Sequence, residues 1–523
     1  MGMKFCTALN RLLDWLADRL ERRKLWLLGA FVALYLLGTA GRATHKLLWF
    51  DELSTLYLAR LSSIGEMRTA LANGADVNPL PFYVVTRFSN LLLGERPLAM
   101  RLPAMLGFLV LVLCLFRFVS RRCSPLYAWL ALLYPFLTPA YPYAYEARPY
   151  ALMMGFCGLS LVCWQSAAGP RRRLALAGLG CSLAAAVCCH FMAVFLLVPL
   201  GIGEVVRSLK LRRLDMPVWL AMAGVVVPLV TFLPAGLTGA TRLWELGAGR
   251  WAVNPEVFPA LGATYVWMSQ NTGLPALAGL ALLGAVLAAG HTRRPDGDAQ
   301  PNTLPPPHEL AAAIALAAVP VLMVALTTLL GRPYTPRYAL NSVAGFGVLA
   351  GFLAAGVLGR HTRMAAVLAS FLLAYVAALQ LTGTRFLWRA PESLPAVQAL
   401  ESAARADAAP IVVEDELVYS QVAHQAPAGL KSRLVCLRDA MAARRYSGND
   451  NTAVLLTLKP YAPLSVESYS EFLRSHNRFL IWRCRQQNPR LSWLLPKLLE
   501  DGKQLRIVAA TPETMLVEVT ATQ

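Results

Sequence analysis

Charge is scarce in this chain. Only 15% of its 523 residues are Asp, Glu, Lys or Arg, against 56% hydrophobic, and the mean hydropathy is +0.48. That balance excludes a soluble globular domain and a disordered chain, and calls for a polytopic membrane protein. Acidic residues are the scarcer sign, 30 against 49 basic, for a net charge of +19. In a soluble protein such an excess points to nucleic acid; here it has to be sorted by side of the membrane first. There is no Gly-rich phosphate loop, no solenoid-type repeat, and no cysteine at a metal-ligand spacing from a histidine. Most of the cysteines (Cys114, Cys157, Cys163, Cys181, Cys188, Cys189) fall in or beside apolar runs, where cysteine acts as a small hydrophobe. Cys436 and Cys484, near the C-terminus, leave two readings open: a disulfide, if that part is extracytoplasmic, or two buried thiols. No cleavable signal is evident, because residues 1–24 are too long and too charged for the opening of one, so 25–41 reads as the first transmembrane helix.

Apolar runs long enough to span, roughly 16 to 22 residues each, lie near 25–41, 102–118, 125–142, 149–168, 174–189, 191–206, 216–236, 272–290, 309–331, 338–358 and 364–383, about eleven in all. Every second connection is basic: Arg22 to Lys24, Arg117 with Arg121 and Arg122, Arg171 to Arg173, Arg207 to Arg213, Arg293 and Arg294, and Arg360 with Arg363. By the positive-inside rule these connections are cytoplasmic. The alternate connections mix signs and are external, as is the C-terminus. The run from Pro79 to Gly94 is short and carries Arg87 in its middle, so it reads as an amphipathic helix lying in the outer interface.

The expected organisation is therefore a cytoplasmic basic N-terminus at 1–24, a helical membrane domain at 25–384, and a periplasmic α/β domain at 385–523. The membrane domain has a long external loop at 42–101 and a Pro-rich cytoplasmic linker at 291–308. In the C-terminal part, strands are expected at 410–414, 433–437, 453–458, 479–484, 505–509 and 515–519, and helices at 465–475 and 491–501.

The spanning runs hold almost no ionisable residue in their cores, unlike ion-coupled transporters and pumps, which place such groups near the midplane. The polar residues gather instead on the predicted outer side: Asp51, Glu52, Asn78, Glu146, Arg148, His190, Arg332 and Arg337, with Tyr141, Tyr143, Tyr145, Tyr150, Tyr334 and Tyr338. Each has a plainer reading beside the functional one. Acidic residues favour a helix N-terminus, arginines anchor to lipid headgroups, tyrosines form interfacial belts, and His190 between two spans serves as a turn residue.

Phe50-Asp51-Glu52, then Asn78-Pro79-Leu80-Pro81-Phe82-Tyr83, Arg101-Leu102-Pro103, Glu146-Ala147-Arg148-Pro149-Tyr150, Cys189-His190-Phe191 and Pro336-Arg337-Tyr338 follow one another on that face. This series resembles bacterial members of the GT-C glycosyltransferase superfamily, the protein mannosyltransferase-like enzymes of glycosyltransferase family 39 and the lipid A aminoarabinose transferases. The family usually has His-Pro-Pro-Leu where this chain has Asn78-Pro79-Leu80-Pro81. The resemblance implies a polytopic fold in the bacterial inner membrane and a polyprenyl-phosphate sugar donor. It implies an extracytoplasmic protein, lipid or glycan as acceptor, no nucleic acid and no required cofactor; a divalent metal is open but not expected. The residues suit such a reaction. Arg148 and Arg337, with Tyr338, would hold the donor phosphate; Asp51 would be the base, with Glu52 orienting it or binding the acceptor. Asn78, Glu146, Tyr150 and His190 are further substrate contacts. Direct displacement would invert the sugar, since a retaining route needs a second carboxylate and only Glu146 offers one. The rival readings are a flippase or transporter of a lipid-linked saccharide, and a scaffold in an envelope-assembly complex.

Overall fold

The computed structural model of the protein describes residues 2–247, 256–288, 305–332, 334–359, 361–390, 397–398, 400–402, 407–484, 492–511 and 514–521. Helix α1 (Gly2–Arg22) is followed by α2 (Lys24–His45) and by three short helices on the predicted outer side, α3 (Phe50–Ala59), α4 (Ile64–Ala72) and α5 (Leu80–Leu93). The bundle continues with α6 (Pro97–Ser120), α7 (Pro125–Leu133), α8 (Pro149–Ser166), α9 (Arg172–Cys189) and α10 (Leu197–Leu211). Then come α11 (Met216–Met222), α12 (Val226–Leu246), α13 (Val257–Ser269), α14 (Gly273–Ala288), α15 (Pro307–Ala317), α16 (Val319–Leu329), α17 (Ser342–Leu358) and α18 (Thr362–Thr384).

Among the described residues six helices are long and apolar enough to cross a membrane, and up to eight if each bent pair is one span. The bends are 62° between α13 and α14 and 46° between α15 and α16. The expected run 125–142 is one helix only to Leu133, beyond which Pro135 breaks it into a 3₁₀ turn, Tyr134–Leu137. Residues 291–304 of the expected linker lie outside the described residues, and its last two, Pro307 and His308, open α15 instead. Helix α5 exposes Phe88, Leu91, Leu92 and Leu93, while Arg87 turns back to the carbonyls of Leu61 and Ser62, at 2.5 and 3.0 Å. That is the pattern of a helix lying flat with an apolar face outward.

The bundle core is packed most closely where glycines let backbones meet. A Cβ on Gly107 of α6 would lie 2.4 Å from the Leu152 Cα of α8, and one on Gly155 would lie 2.4 Å from the Gly107 carbonyl oxygen. Small residues at such crossings are what membrane helices use in place of a hydrophobic driving force. Here the crossing fixes the predicted outer ends of α6 and α8, which carry Arg101 and Arg148. At the opposite ends, buried Glu309 holds Arg122 and Gln165, and buried Glu204 holds Trp164 and Arg207.

Residues 411–520 contain a six-stranded sheet: β1 (Ile411–Val413), β2 (Leu434–Arg438), β3 (Val466–Ser468), β4 (Arg478–Cys484), β5 (Gln504–Ala510) and β6 (Thr514–Thr520). The order is β3-β2-β1-β4-β6-β5, with β3, β2, β1 and β4 parallel and the β5–β6 hairpin antiparallel. Residues 453–458, expected as a strand, form part of a helix, Thr452–Leu458, which Asp450 and Asn451 open. A short apolar run does not distinguish the two states, and the preceding Asn449-Asp450-Asn451 is a helix-start signal. Conversely, the expected helix at 465–475 begins with β3, because Val466 is drawn into register beside Cys436. Cys436 is a buried free thiol.

The sheet does not stand apart from the membrane part. Ile411, Val413, Leu434 and Trp482 on one face share a core with Leu53, Leu56 and Tyr57 of α3, Met67 of α4 and Phe82 of α5. Gln421 donates to the Leu48 carbonyl at 3.1 Å, and Tyr57 meets His424 at 3.2 Å.

Glu416 makes a test of this domain's pH response. Burial pushes its carboxyl up to about 8, with neighbouring Asp415 and Asp450 adding to the effect against a local backbone hydrogen bond. The unfolded chain loses that proton near pH 4.5, so stability falls as pH rises from there to about 8 and then levels off. Glu416→Gln is expected to match the native protein near pH 4.5 and to exceed it at pH 8, by on the order of 2–4 kcal/mol. Thermal unfolding at the two pH values checks this.

Candidate active site

The chain leaves α2 at His45, turns through Lys46 to Trp49 and enters α3, whose first turn carries Asp51 and Glu52. Glu52 is fully buried, and its carboxylate accepts from Arg101 Nε at 2.7 Å, Arg101 Nη2 at 2.6 Å and the Ala147 N–H at 2.6 Å. Arg101, also fully buried, gives its other hydrogens to the carbonyls of Ala43, Lys46 and Leu47 at 2.7 to 2.9 Å. Both members of this pair are thus hydrogen-bonded to capacity, the condition under which a buried ion pair is tolerated. The pair joins the end of α2, the start of α3, α6 and the strap before α8.

The consequence is felt one residue away on each side. With Glu52 fixed to Ala147 N–H, Asp51 and Arg148 face one another: Arg148 Nη1 donates to the Asp51 carbonyl at 3.0 Å, and its Nε stands 3.8 Å from the Asp51 carboxylate. Arg337, from the turn Pro336–Ala339 before α17, donates Nη1 to the same carboxylate at 2.9 Å. Arg148 also pairs with Asp76 at 2.8 Å. Burial alone would raise the Asp76 carboxyl, but the charge and hydrogen bond of Arg148, with the Val77 N–H, hold it below its ordinary value. Asn78 donates to Asp76 at 3.2 Å.

An aromatic wall completes the cluster. Arg337 lies 6.0 Å from the Tyr150 ring, Tyr150 lies 5.1 Å from His190, and His190 lies 5.9 Å from Tyr338. Burial, reinforced by Arg148 and Arg337, pushes His190 down to about 3. Its Nδ1 accepts from the Met192 N–H at 3.1 Å, so the neutral ring carries its hydrogen on Nε2.

Asp51, Arg148, Arg337, Asn78, Tyr150, His190 and Tyr338 therefore gather in one place. Two expected site residues are engaged elsewhere. Glu52 is turned into the Arg101 pair rather than toward Asp51's partners, because neighbours on a helix point about 100° apart. Glu146 is buried against Lys46, at 2.5 Å, and burial raises its carboxyl despite that partner. Asp76 and Arg101 belong to the cluster without having been singled out for a role; the available signals were the position of Asp76 two residues before Asn78-Pro79 and of Arg101 within Arg101-Leu102-Pro103.

The site is charge-balanced, two guanidiniums against two carboxylates, and it is incomplete in one respect. Arg148 Nε and Arg337 Nε are buried with no hydrogen-bond partner among the described residues. Buried donors of this kind are normally satisfied, so the pair marks where an acceptor-rich anion fits. Among the described residues no three His, Cys, Asp or Glu side chains are grouped so as to hold a metal ion.

No family profile and no curated protein matches the chain. Its fold is that of a solved protein, ArnT. ArnT from Cupriavidus metallidurans in the apo state superposes with a TM-score of 0.54 at 16% identity, over 94% of this chain and 98% of that one. The same protein bound to undecaprenyl phosphate gives 0.54 at 15% identity, over 94% and 97%. The likeness covers the helical bundle and the C-terminal sheet alike, and this chain is a multi-pass membrane protein with that architecture.

Proposed function

We propose that the protein is a membrane glycosyltransferase that moves a sugar from a polyprenyl-phosphate donor to an extracytoplasmic acceptor, with inversion at the anomeric carbon. The observation that supports this best is the pair of unsatisfied guanidinium donors beside a carboxylate that one of them already holds. A phosphodiester donor places its oxygens on Arg148 and Arg337. The acceptor hydroxyl attacks the anomeric carbon as its proton passes to Asp51; the new glycosidic C–O bond forms while the bond from that carbon to the phosphate oxygen breaks. The departing polyprenyl phosphate gains one negative charge in the same step in which Asp51 loses one. Arg337, no longer held by a carboxylate, is then free to pair with the phosphate. This exchange of partners leaves the net charge of the site and its bound donor unchanged through the reaction, a form of electrostatic stabilisation that costs little reorganisation. Asp76 holds Arg148 in place throughout, and the neutral His190 Nε2–H with Tyr150 and Tyr338 lines the sugar side.

Glu146, the residue that the sequence offers as a retaining nucleophile, is committed to Lys46, and Asp76 is committed to Arg148, which favours the single displacement. The reaction so drawn needs no cofactor beyond the donor. The N-terminus is cytoplasmic and the C-terminal sheet domain periplasmic in this reading, on the charge pattern of the connections.

Arg148→Gln and Arg337→Gln are each expected to weaken binding of undecaprenyl phosphate by about 10- to 100-fold, the worth of one charge-assisted hydrogen bond in a buried site. Titration of the purified protein with the carrier, and transfer of labelled sugar in vesicles, check this. Labelled carrier that crosses between leaflets without any transfer would replace the enzyme reading with a flippase.

A further inference from the structure

Asp76 is delivered to Arg148 by a tight turn, 73–75, that is gripped from two directions. On one side stands α12. A Cβ on its Gly239 would lie 2.2 Å from the Leu71 carbonyl oxygen and 3.3 Å from the Gly74 Cα, so the two backbones are in direct contact. Arg242, one turn further along α12, donates Nη1 to Asn73 Oδ1 at 2.9 Å. On the other side stands the C-terminal domain, nearly four hundred residues away in sequence. Tyr461 accepts from Asn73 Nδ2 at 3.1 Å, and Thr457 donates Oγ1 to the Gly74 carbonyl at 2.9 Å. Gly74 itself has φ +85°, a conformation that needs glycine or an external hold. The Asn73 side chain is thus shared between the membrane bundle and the sheet domain, each taking one end of its amide.

We infer that Asn73, Thr457 and Tyr461 are positioning residues for Asp76, so that the docked C-terminal domain sets the geometry of the Asp76–Arg148 pair. This rests on the transferase reading of the site. A plain interdomain contact would distribute its hydrogen bonds over any convenient surface. These converge on Asn73 and Gly74, three and two residues before the carboxylate, and Asp76 in turn orients the guanidinium whose Nε is left open. Loss of either hold lets the turn relax, and misplacement of a site group by about an ångström costs up to about 100-fold in rate.

The test is a double-mutant cycle on the full-length protein, using Thr457→Val and Tyr461→Phe, each of which removes one polar oxygen and keeps the shape. Each is expected to lower kcat for sugar transfer about tenfold with thermal stability close to native. In an Asp76→Asn background neither is expected to lower it further, because a residue that acts through Asp76 has nothing left to position. Equal losses in both backgrounds, or unchanged kcat in the single variants, would overturn the inference. Hydrogen exchange at Gly74 and Ala75, faster in both variants than in the native protein, is the second reading and requires no turnover. If the native chain transfers no sugar, the transferase reading fails. The grip is then judged by exchange alone, with unchanged protection counting against it.

Discussion

Asp51→Asn is expected to abolish sugar transfer, with kcat falling by about 10²–10⁴, the usual worth of a positioned general base. The fold is expected to survive, because the Asp51 side chain is not part of the buried frame: its contacts are to Arg337 and Arg148, and its backbone carbonyl, which receives Arg148 Nη1 and Thr55, remains. Carrier binding should be retained or tightened, since Arg337 is released from its carboxylate and becomes fully available to phosphate. That combination, lost turnover with intact binding, separates a base from a headgroup anchor. Undecaprenyl phosphate titration and single-turnover transfer in vesicles read the two halves. A variant that still turns over would shift the role of base to Asp76, the other carboxylate on Arg148.

Much of this site was open to a reader of the sequence, and the reason is specific. Asp51 and Arg337 are 286 residues apart and share no local pattern, yet both stand at the predicted outer ends of apolar runs, and in a bilayer only one face is available to such ends. Charge asymmetry between connections then places them together without any knowledge of packing. What the sequence left hidden depended on direction rather than location. Asp51 and Glu52 are adjacent and chemically alike, but only the structure shows that α3 turns one toward Arg148 and Arg337 and the other into Arg101 of α6. Glu146 and Arg148 differ in the same way across the tight turn at Ala147, where the Arg148 N–H meets the Glu146 carbonyl at 2.7 Å. Asp76 sits in an ordinary-looking loop, Gly74-Ala75-Asp76-Val77, and acquires its importance from a guanidinium that lies 72 residues on. The confusion of strand and helix at 452–458 and 466–468 has the same origin, since both segments are short and their state is set by neighbours in space.

The second large effect lies with the buried pair behind the site. Arg101→Met is expected to destabilise the protein by about 3–5 kcal/mol, because Glu52 would be left fully buried and short of its bidentate partner. The carbonyls of Ala43, Lys46 and Leu47 would lose their donors in the same stroke, so the turn between α2 and α3 would loosen as well. The double variant Glu52→Gln with Arg101→Met removes the unpaired carboxyl group and should recover most of that stability, as replacements of whole buried pairs often do. Activity should not recover with it. The native Glu52 carboxylate holds the Ala147 N–H at 2.6 Å, and through that bond it brings Arg148 to Asp51; a neutral amide that has lost Arg101 has no fixed orientation from which to make the same contact. Thermal unfolding and transfer rate are therefore expected to part company in the double variant. Recovery of both together would mean that the pair contributes stability alone and that Arg148 finds its place by other contacts.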